Sequence, residues 1–335
     1  AASGPIIAGP VIQEFGWRTV FLATAIPNVV GIVAAVIVLD DSRIGTVARK
    51  IGAKYDWFGA FASAAALTLL ILTISNPFAF DWVSVPIIGG ALASLALFVF
   101  MIWWELRIPD PMLNLRFFKN STFSWSTSTR FLAFIGGSAA FFLLPIFVQS
   151  FMGYDQRTAG MIMFVGAVGM GLSSQISGRL SDRYGFRPFT FLGIGTMVVT
   201  NIVFSFFVRD TPLWIVMPTL FMNGLAMGLW MAPNMSATLS TVGRGDLGSM
   251  SAFLNLVRNV GGVLGQAMAI AIIAGIMLSR GAEVDLGDLG VASERVSNAF
   301  LVGWSLTFRI LAAVTVVALF AAIRTKVYTK APESN

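Results

Sequence analysis

Long apolar runs separated by short polar segments dominate the sequence. The runs are continuously hydrophobic instead of alternating at every second residue, and each approaches the roughly 20 residues that an α-helix needs to cross a bilayer. The pattern therefore predicts an all-α polytopic membrane protein with about nine complete transmembrane helices. The predicted spans are 17–39, 57–75, 82–104, 123–151, 159–176, 189–208, 213–235, 249–278 and 299–323.

The first stretch, up to about residue 13, is apolar but too short to cross a membrane. Its Gly/Pro-rich sequence includes Gly4, Pro5, Gly9 and Pro10, and we interpret it as the end of a partial helix. The chain opens on Ala1 with no initiator methionine and no signal-peptide pattern, so we expect the sequence to be N-terminally truncated.

Composition narrows the chemistry that is open to such a protein. The chain is 56% hydrophobic and 11% charged, and it contains neither cysteine nor histidine. Disulfides, thiolate nucleophiles and histidine-ligated metals are thereby excluded, and we predict no metal and no cofactor. A Walker pattern is absent, and the Gly166, Gly169 and Gly171 cluster lies inside a span, where helix packing explains it better than nucleotide binding. We therefore expect no enzyme activity.

The distribution of lysine and arginine among the loops predicts the orientation. One side of the predicted topology carries 14 of the 22 basic residues, the other side carries five, and three arginines lie within spans. By the positive-inside rule the first side is cytoplasmic, which also places the C-terminus there. The net charge of +6 is then explained by loop placement, and no nucleic-acid partner is expected. The predicted location is the cell (inner) membrane, with the lipid bilayer as partner.

A short charged segment at 178–188 separates two of the predicted spans. Its two glycines and its proline predict a tight hairpin in which one carboxylate sits among three arginines. The segment resembles the cytoplasmic motif of the major facilitator superfamily, Gly-x-Leu-x-Asp-Arg-x-Gly-x-Arg. The matching residues are Gly178, Leu180, Asp182, Arg183, Gly185 and Arg187.

The order of the spans extends this resemblance. In the family the motif joins helices two and three of a six-helix bundle, and six spans run from 123 to 323 with the motif after the second. The stretch from Gly4 to Pro10 is similar to the antiporter motif of helix five. Two additional spans precede the bundle, as in the fourteen-helix drug:proton antiporter branch. The implied divisions are helices five and six of a first bundle (1–39), a linker with two extra helices (40–122), a second bundle (123–323) and a tail (324–335).

The resemblance implies a secondary active transporter that performs proton-coupled multidrug efflux when full length. Its partners would be small amphipathic or cationic substrates, protons and, in a double-membraned bacterium, a periplasmic adaptor protein. The charged motif would act as an inner gate in which Asp182 pairs with Arg183, Arg187 or a helix N-terminus. Two alternatives remain open: a truncated, non-transporting fragment, and an exporter of one specific metabolite.

Two of the predicted helices face the central cavity in the family, and we assign candidate substrate residues to them. On the first, Arg130, Phe134, Gly137 and Phe141 share one helical face, and bundle packing with a snorkelling Arg130 is the alternative. On the second, Pro218 and Pro233 are expected to interrupt the helix. Its candidates are Asn223, Met227, Trp230 and Asn234, with packing through Gly224 and Gly228 as the alternative.

Bundle-interface roles are assigned to Arg258, Asn259, Gly261 and Gly262, together with the Gly/Pro residues of the partial helix. Arg258 lies inside a span, and an intramembrane charge requires a partner or an aqueous path. No aspartate or glutamate lies inside any predicted span. Proton coupling needs a buried titratable group, so we expect the coupling acid to lie outside this chain.

Overall fold

The computed structural model describes residues 4–38, 56–76, 80, 84–108, 115–282, 289 and 293–325. Within these ranges the chain forms ten α-helices and no strand. The helices are α1 (Gly4–Phe15), α2 (Trp17–Val38), α3 (Trp57–Ser75), α4 (Val85–Glu105), α5 (Ser121–Ile146), α6 (Gln156–Tyr184), α7 (Phe186–Phe204), α8 (Leu213–Leu239), α9 (Leu247–Ser279) and α10 (Glu294–Arg324). A π-helical turn, Phe147–Phe151, extends α5.

Nine of the described helices are long and apolar enough to cross a membrane, whereas α1 has only 12 residues. The predicted fold class, including the number of complete spans and the short first helix, is confirmed. Residues 39–55, 109–114 and 326–335, which contain much of the predicted linker and tail, lie outside the described residues.

Helices α5 to α10 pack into one bundle. Within it, α8 lies against α6 and α7, while α10 lies against α5, α7 and α9, and α5 and α9 form a further close pair. Outside the bundle, α3 and α4 pack against each other and α1 packs against α6. No residue of α2 is buried. The core of the described fold therefore lies inside the six-helix bundle.

Small residues allow α6 and α8 to approach closely. A Cβ atom at Gly169 would lie 2.5 Å from the Phe221 carbonyl oxygen, and one at Gly224 would overlap the Gly166 backbone. Ser177 donates a hydrogen bond of 3.0 Å to the Gly228 carbonyl across the same contact. The predicted packing role of Gly166, Gly169, Gly224 and Gly228 agrees with this geometry, which is typical of membrane helix pairs. The same prediction is wrong for Gly171, where an added Cβ would have no atom within 4 Å.

Buried polar side chains connect other helices of the bundle. The Asn201 amide on α7 donates to the Gly136 carbonyl on α5 at 3.0 Å and to the Thr315 hydroxyl on α10 at 3.2 Å. The Trp304 indole nitrogen on α10 donates to the Phe204 carbonyl on α7 at 2.7 Å. Such bonds fix the relative register of helices whose apolar surfaces alone are poorly specific.

Replacing Trp304 by phenylalanine should destabilise the bundle modestly, because an aromatic ring is kept while the bond to Phe204 is lost. We expect a decrease of about 0.6–1.7 kcal/mol in the free energy of unfolding, the range of interhelical hydrogen bonds in membranes. Equilibrium unfolding in mixed micelles measures it. The control is Trp214→Phe, because Trp214 is 74% exposed. Equal stability of the two variants would contradict the role of the bond.

Two local predictions are wrong. Residues Gly178 to Tyr184 continue α6 as helix, so the reversal is confined to Gly185, whose φ is +81°. With 29 residues, α6 exceeds the roughly 20 that span the hydrocarbon, and its charged end extends beyond the apolar run. Pro218 and Pro233 also lie within a continuous α8, as membrane helices tolerate.

Candidate functional site

A basic side chain is buried in the N-terminal half of α5. Arg130 is only 3% exposed, and its Nε donates a hydrogen bond of 3.1 Å to the Leu254 carbonyl on α9. Its guanidinium carbon also lies 5.4 Å from the centre of the Phe134 ring. The side chain is therefore held inside the bundle. This burial agrees with the bundle packing of the alternative interpretation but not with its snorkelling arginine, and it leaves the substrate role of Arg130 a prediction.

Residues of α8 complete the surroundings of Arg130. The Trp230 ring packs edge to face on Phe134, with ring centroids 5.1 Å apart. One turn further along α8, the Asn234 amide donates to the Ser126 carbonyl on α5 at 3.0 Å. We call Arg130, Phe134, Trp230 and Asn234 the arginine layer. It links α5, α8 and α9 at one level of the bundle.

Several polar atoms in and beside the arginine layer are buried without a hydrogen-bond partner. They belong to the segment 126–130 of α5 and to two residues of α8: Ser126 Oγ, Thr127 Oγ1, Thr129 Oγ1, Arg130 Nη1, Trp230 Nε1 and Asn234 Oδ1. Buried polar groups are normally paired, so these atoms retain unused hydrogen-bonding capacity. The layer can thus accept hydrogen bonds from, and donate them to, a polar molecule or another helix.

Helix α9 carries a second arginine next to the layer. Arg258 lies one helical turn after Leu254, the residue whose carbonyl accepts the hydrogen bond from Arg130. It is exposed, and its Nε contacts the Asn259 Oδ1 at 3.4 Å. Gly261 and Gly262 pack against α5, where a Cβ at Gly261 would meet the Phe131 carbonyl oxygen at 2.8 Å and the Gly262 carbonyl accepts from Ser138.

The other predicted cavity residues are also enclosed. Asn223 is fully buried and donates to the Thr200 hydroxyl on α7 at 3.0 Å. Met227 packs in the same core as Trp230, and Phe141 packs partly buried against it. Like the residues of the arginine layer, these side chains point into the bundle. For both groups the assignment to a substrate cavity stays a prediction.

The charged motif lies at the junction of α6 and α7. Gly178, Leu180, Asp182 and Arg183 belong to the last two turns of α6. Leu180, Asp182 and Arg183 are exposed, and the Arg183 guanidinium lies 5.5 Å from the Tyr184 ring centre. Gly185 makes the turn, and the Arg187 Nη2 donates to the Ile323 carbonyl at 2.6 Å. This bond attaches the motif to the C-terminal end of α10, where carbonyl groups are unpaired.

The predicted ion pairs of Asp182 with Arg183 and Arg187 are absent among the described residues. Arg187 is instead engaged with α10, and Arg183 lies over an aromatic ring. The carboxylate of Asp182 therefore remains exposed to another partner.

The Gly/Pro-rich stretch forms α1, which contains Pro10 and packs against α6. Gly4 begins this helix. The surroundings of Pro5 and Gly9 lie outside the described part of the structure. Their assignment to a bundle interface stays a prediction.

Two carboxylates that sequence reasoning placed simply at span ends are brought together by the α3 and α4 pair. Asp56 caps α3, and its Oδ1 accepts hydrogen bonds from the Gly59 backbone at 2.9 Å and the Trp104 indole at 3.1 Å. Glu105 ends α4 and is 3% exposed. A Cβ added at Gly59 would contact both carboxylates. Asp56 directly precedes the apolar run of α3, a position typical of a helix cap, but only the pairing of the helices could reveal its neighbour.

Every acid in the described ranges lies in or beside the terminal turn of a helix, or in a loop. Asp155, for example, caps α6. Hydrogen bonds from the Thr158 side chain and backbone lower the pKa of its carboxyl below the ordinary value. Among the described residues of the six-helix bundle, no acid lies beside the arginine layer. The positive charge of Arg130 is therefore uncompensated, which is unusual inside a membrane.

The described part of the chain is a polytopic protein built around a six-helix bundle, with polar groups and an arginine enclosed at one level. The chain belongs to the Major Facilitator Superfamily, which it matches over residues 1–266.

Curated relatives of the chain include transporters and a multidrug resistance protein. YhcA, an uncharacterised transporter of the family from Bacillus subtilis strain 168, is 27% identical and covers 81% of this chain. The riboflavin transporter RibZ of Clostridioides difficile strain 630 is 25% identical and covers 79%. The multidrug resistance protein B homolog of Mycobacterium tuberculosis H37Rv is 26% identical and covers 79%. The chain spans about half of these relatives, at 50%, 56% and 49% of their lengths.

Proposed function

We propose that this chain supplies the second six-helix bundle of a proton-coupled exporter of amphipathic organic compounds. The observation that carries the proposal is the arginine layer, with the unpartnered polar atoms in and beside it and with Arg258 next to it on α9. A transporter moves substrate through a site near the membrane midplane between two bundles. A buried cation with open hydrogen-bonding capacity supports such a role better than it supports a purely structural one.

Charge balance supports a coupling acid on a helix beyond the described bundle. Arg130 and Arg258 together carry two positive charges, which disfavour direct binding of a cationic substrate. A carboxylate facing the two arginines would neutralise their charge when it is ionised. When it is protonated, the positive charge would be left uncompensated. Proton binding would then change the affinity of the site for substrate. Cationic substrates are compatible with the site only while that acid is ionised.

The charged motif is proposed to act as the gate on the cytoplasmic side. Arg187 anchors it to α10, while Asp182 is exposed for pairing with the first bundle. Breaking and reforming that pair would accompany alternation between the two open states. The cytoplasmic C-terminus and the cell-membrane location belong to the same proposal, and the loop charges support them.

Replacing Asp182 by asparagine should reduce transport by about tenfold, because the isosteric amide cannot form an ion pair across the gate. Membrane insertion should be unchanged, since Asp182 is exposed. Efflux from cells that produce the transporter, normalised to protein in the membrane, measures the effect. Asp210→Asn is the matched control at an exposed loop. Normal efflux by Asp182→Asn would contradict the gate.

An exporter or carrier of one specific metabolite is the second candidate, and the riboflavin transporter among the relatives favours it. An efflux panel separates the two candidates: dyes, antibiotics and riboflavin are loaded into cells, and their retention is compared with and without a proton uncoupler. Export of several unrelated compounds supports the first proposal, and export of one supports the second. Efflux that is unaffected by the uncoupler would contradict proton coupling.

A further inference from the structure

The carboxyl groups of Asp56 and Glu105 meet at one end of the α3 and α4 pair, outside the six-helix bundle. Asp56 is 9% exposed and Glu105 is 3% exposed, so both are withdrawn from water. A Cβ atom added at Gly59 would overlap Asp56 Oδ2 and would lie 2.9 Å from Glu105 Oε1. The two carboxyl oxygens therefore border the same point in the structure.

The two oxygens of Asp56 differ in their hydrogen bonding. Oδ1 accepts from the Gly59 backbone at 2.9 Å and from the Trp104 indole at 3.1 Å. Oδ2, on the side of Glu105, is buried and accepts no hydrogen bond from a described residue. Buried carboxyl oxygens are normally paired, and a protonated carboxyl is itself a donor. A proton on the pair would therefore supply the hydrogen bond that Oδ2 lacks.

The described helices around the pair supply few charged groups. Helix α3 contains no charged residue, and Glu105 is the only one within α4. Beyond the end of α4, the Arg107 guanidinium lies 4.3 Å from the centre of the Trp103 ring. None of the described groups forms an ion pair with Asp56. Helix α9 also contacts α3, and its charged residues, within it or next to its ends, are Asp246, Arg258 and Arg280.

A single proton is the ligand that best fits two adjacent buried carboxyl groups. If both were ionised, their mutual repulsion would add to the cost of withdrawing each charge from water. One proton removes one of the charges and leaves a donor for the remaining carboxylate, which gives a charge-assisted hydrogen bond. A metal ion fits less well, because no group of three or more acidic side chains converges in the described part of the chain.

We propose that Asp56 and Glu105 together bind one proton at neutral pH, so that the pair carries a single negative charge. The proton would hold this end of α3 against α4. Its loss would place two negative charges side by side and weaken the contact between the helices. The pair lies outside the bundle that contains the arginine layer, so the inference depends neither on transport nor on the proposed coupling acid.

Infrared spectroscopy of the purified protein tests the proposal, because a protonated carboxyl has a carbonyl stretching band that an ionised carboxylate lacks. We expect this band at neutral pH and its loss at alkaline pH. Asp56→Asn should abolish the band at neutral pH, since Glu105 then ionises without a neighbouring charge. Asparagine still caps the helix, so α3 should be retained. Glu294→Gln, at an exposed acid that begins α10, is the control and should leave the band unchanged.

Glu105→Gln tests the same pair from the other helix, and it keeps the test informative if Asp56→Asn does not fold. The band should be lost in this variant as well, because a shared proton needs both carboxyl groups. Survival of the band in either variant would overturn the proposal in favour of a proton held by the remaining acid alone. Absence of the band from the unmodified protein at neutral pH would also overturn it, because both carboxyl groups would then be ionised.

Discussion

Replacing Arg130 by methionine is expected to abolish most transport while leaving the fold as stable as before. Removal of a charge-assisted hydrogen-bond donor costs about 1.5–3 kcal/mol, which corresponds to a ten- to hundredfold decrease in transport rate if the group contacts substrate or the coupling acid. Arg130→Lys keeps the charge but not the planar donor geometry, and it should retain intermediate activity. Transport assays on membrane-inserted protein measure both variants.

Stability provides a second measurement on the same variant. Arg130 is buried with one guanidinium nitrogen unpartnered, and replacing such an ion by a similarly sized apolar residue is often neutral or stabilising. We therefore expect an unchanged or raised unfolding temperature for Arg130→Met. The exposed control Arg324→Met should transport normally. If transport survives in Arg130→Met, the arginine layer is not the functional site. A large fall in stability would instead indicate a structural role.

Replacing Gly228 by leucine should produce the largest loss of stability in the bundle. A Cβ atom there would overlap the Ser173 hydroxyl and the Met170 carbonyl of α6, and it would lie 2.8 Å from the Ser174 backbone nitrogen. The Met170 oxygen and the Ser174 nitrogen are backbone atoms that cannot rotate away, so α6 and α8 must separate to make room for the side chain. Overpacking typically costs about 1–3 kcal/mol, and we expect the upper end of that range.

The matched control for this substitution lies on the partner helix. A Cβ atom added at Gly171 of α6 would have no atom within 4 Å, so Gly171→Leu should be tolerated. The unfolding temperature of each variant in detergent, followed by size-exclusion chromatography, gives the comparison. Similar losses for both variants would show that the contact between α6 and α8 does not determine stability.

The number and approximate limits of the membrane helices could be predicted from sequence because length and continuous apolarity suffice to recognise a span. The helix ends were less predictable. Hydropathy falls at Gly178, whereas the backbone of α6 continues as helix to Tyr184. Charge ends an apolar run but does not end a helix that has left the hydrocarbon. The prolines of α8 illustrate the opposite error, because a local breaker is overridden in a membrane bundle.

The candidate site could be predicted only in part. The resemblance directed attention to two helices, residue type and spacing pointed to Arg130, Phe134, Trp230 and Asn234 on them, and the structure brings these residues together. Their inward orientation was not predictable, because all faces of a membrane helix are apolar and sequence periodicity does not distinguish the lipid from the protein interior. The same limitation hid the α5 to α9 bond of Arg130 and the pairing of Asp56 with the end of α4.

Proton-coupled transport through the arginine layer is tested most directly in proteoliposomes. The transporter that contains this chain is reconstituted, a pH gradient is imposed without ATP, and accumulation of a substrate from the efflux panel is followed. We predict gradient-dependent uptake that an uncoupler abolishes and that Arg130→Met lacks. Accumulation that is equal with and without the gradient, or that persists in Arg130→Met, would contradict a coupled transport role for the layer.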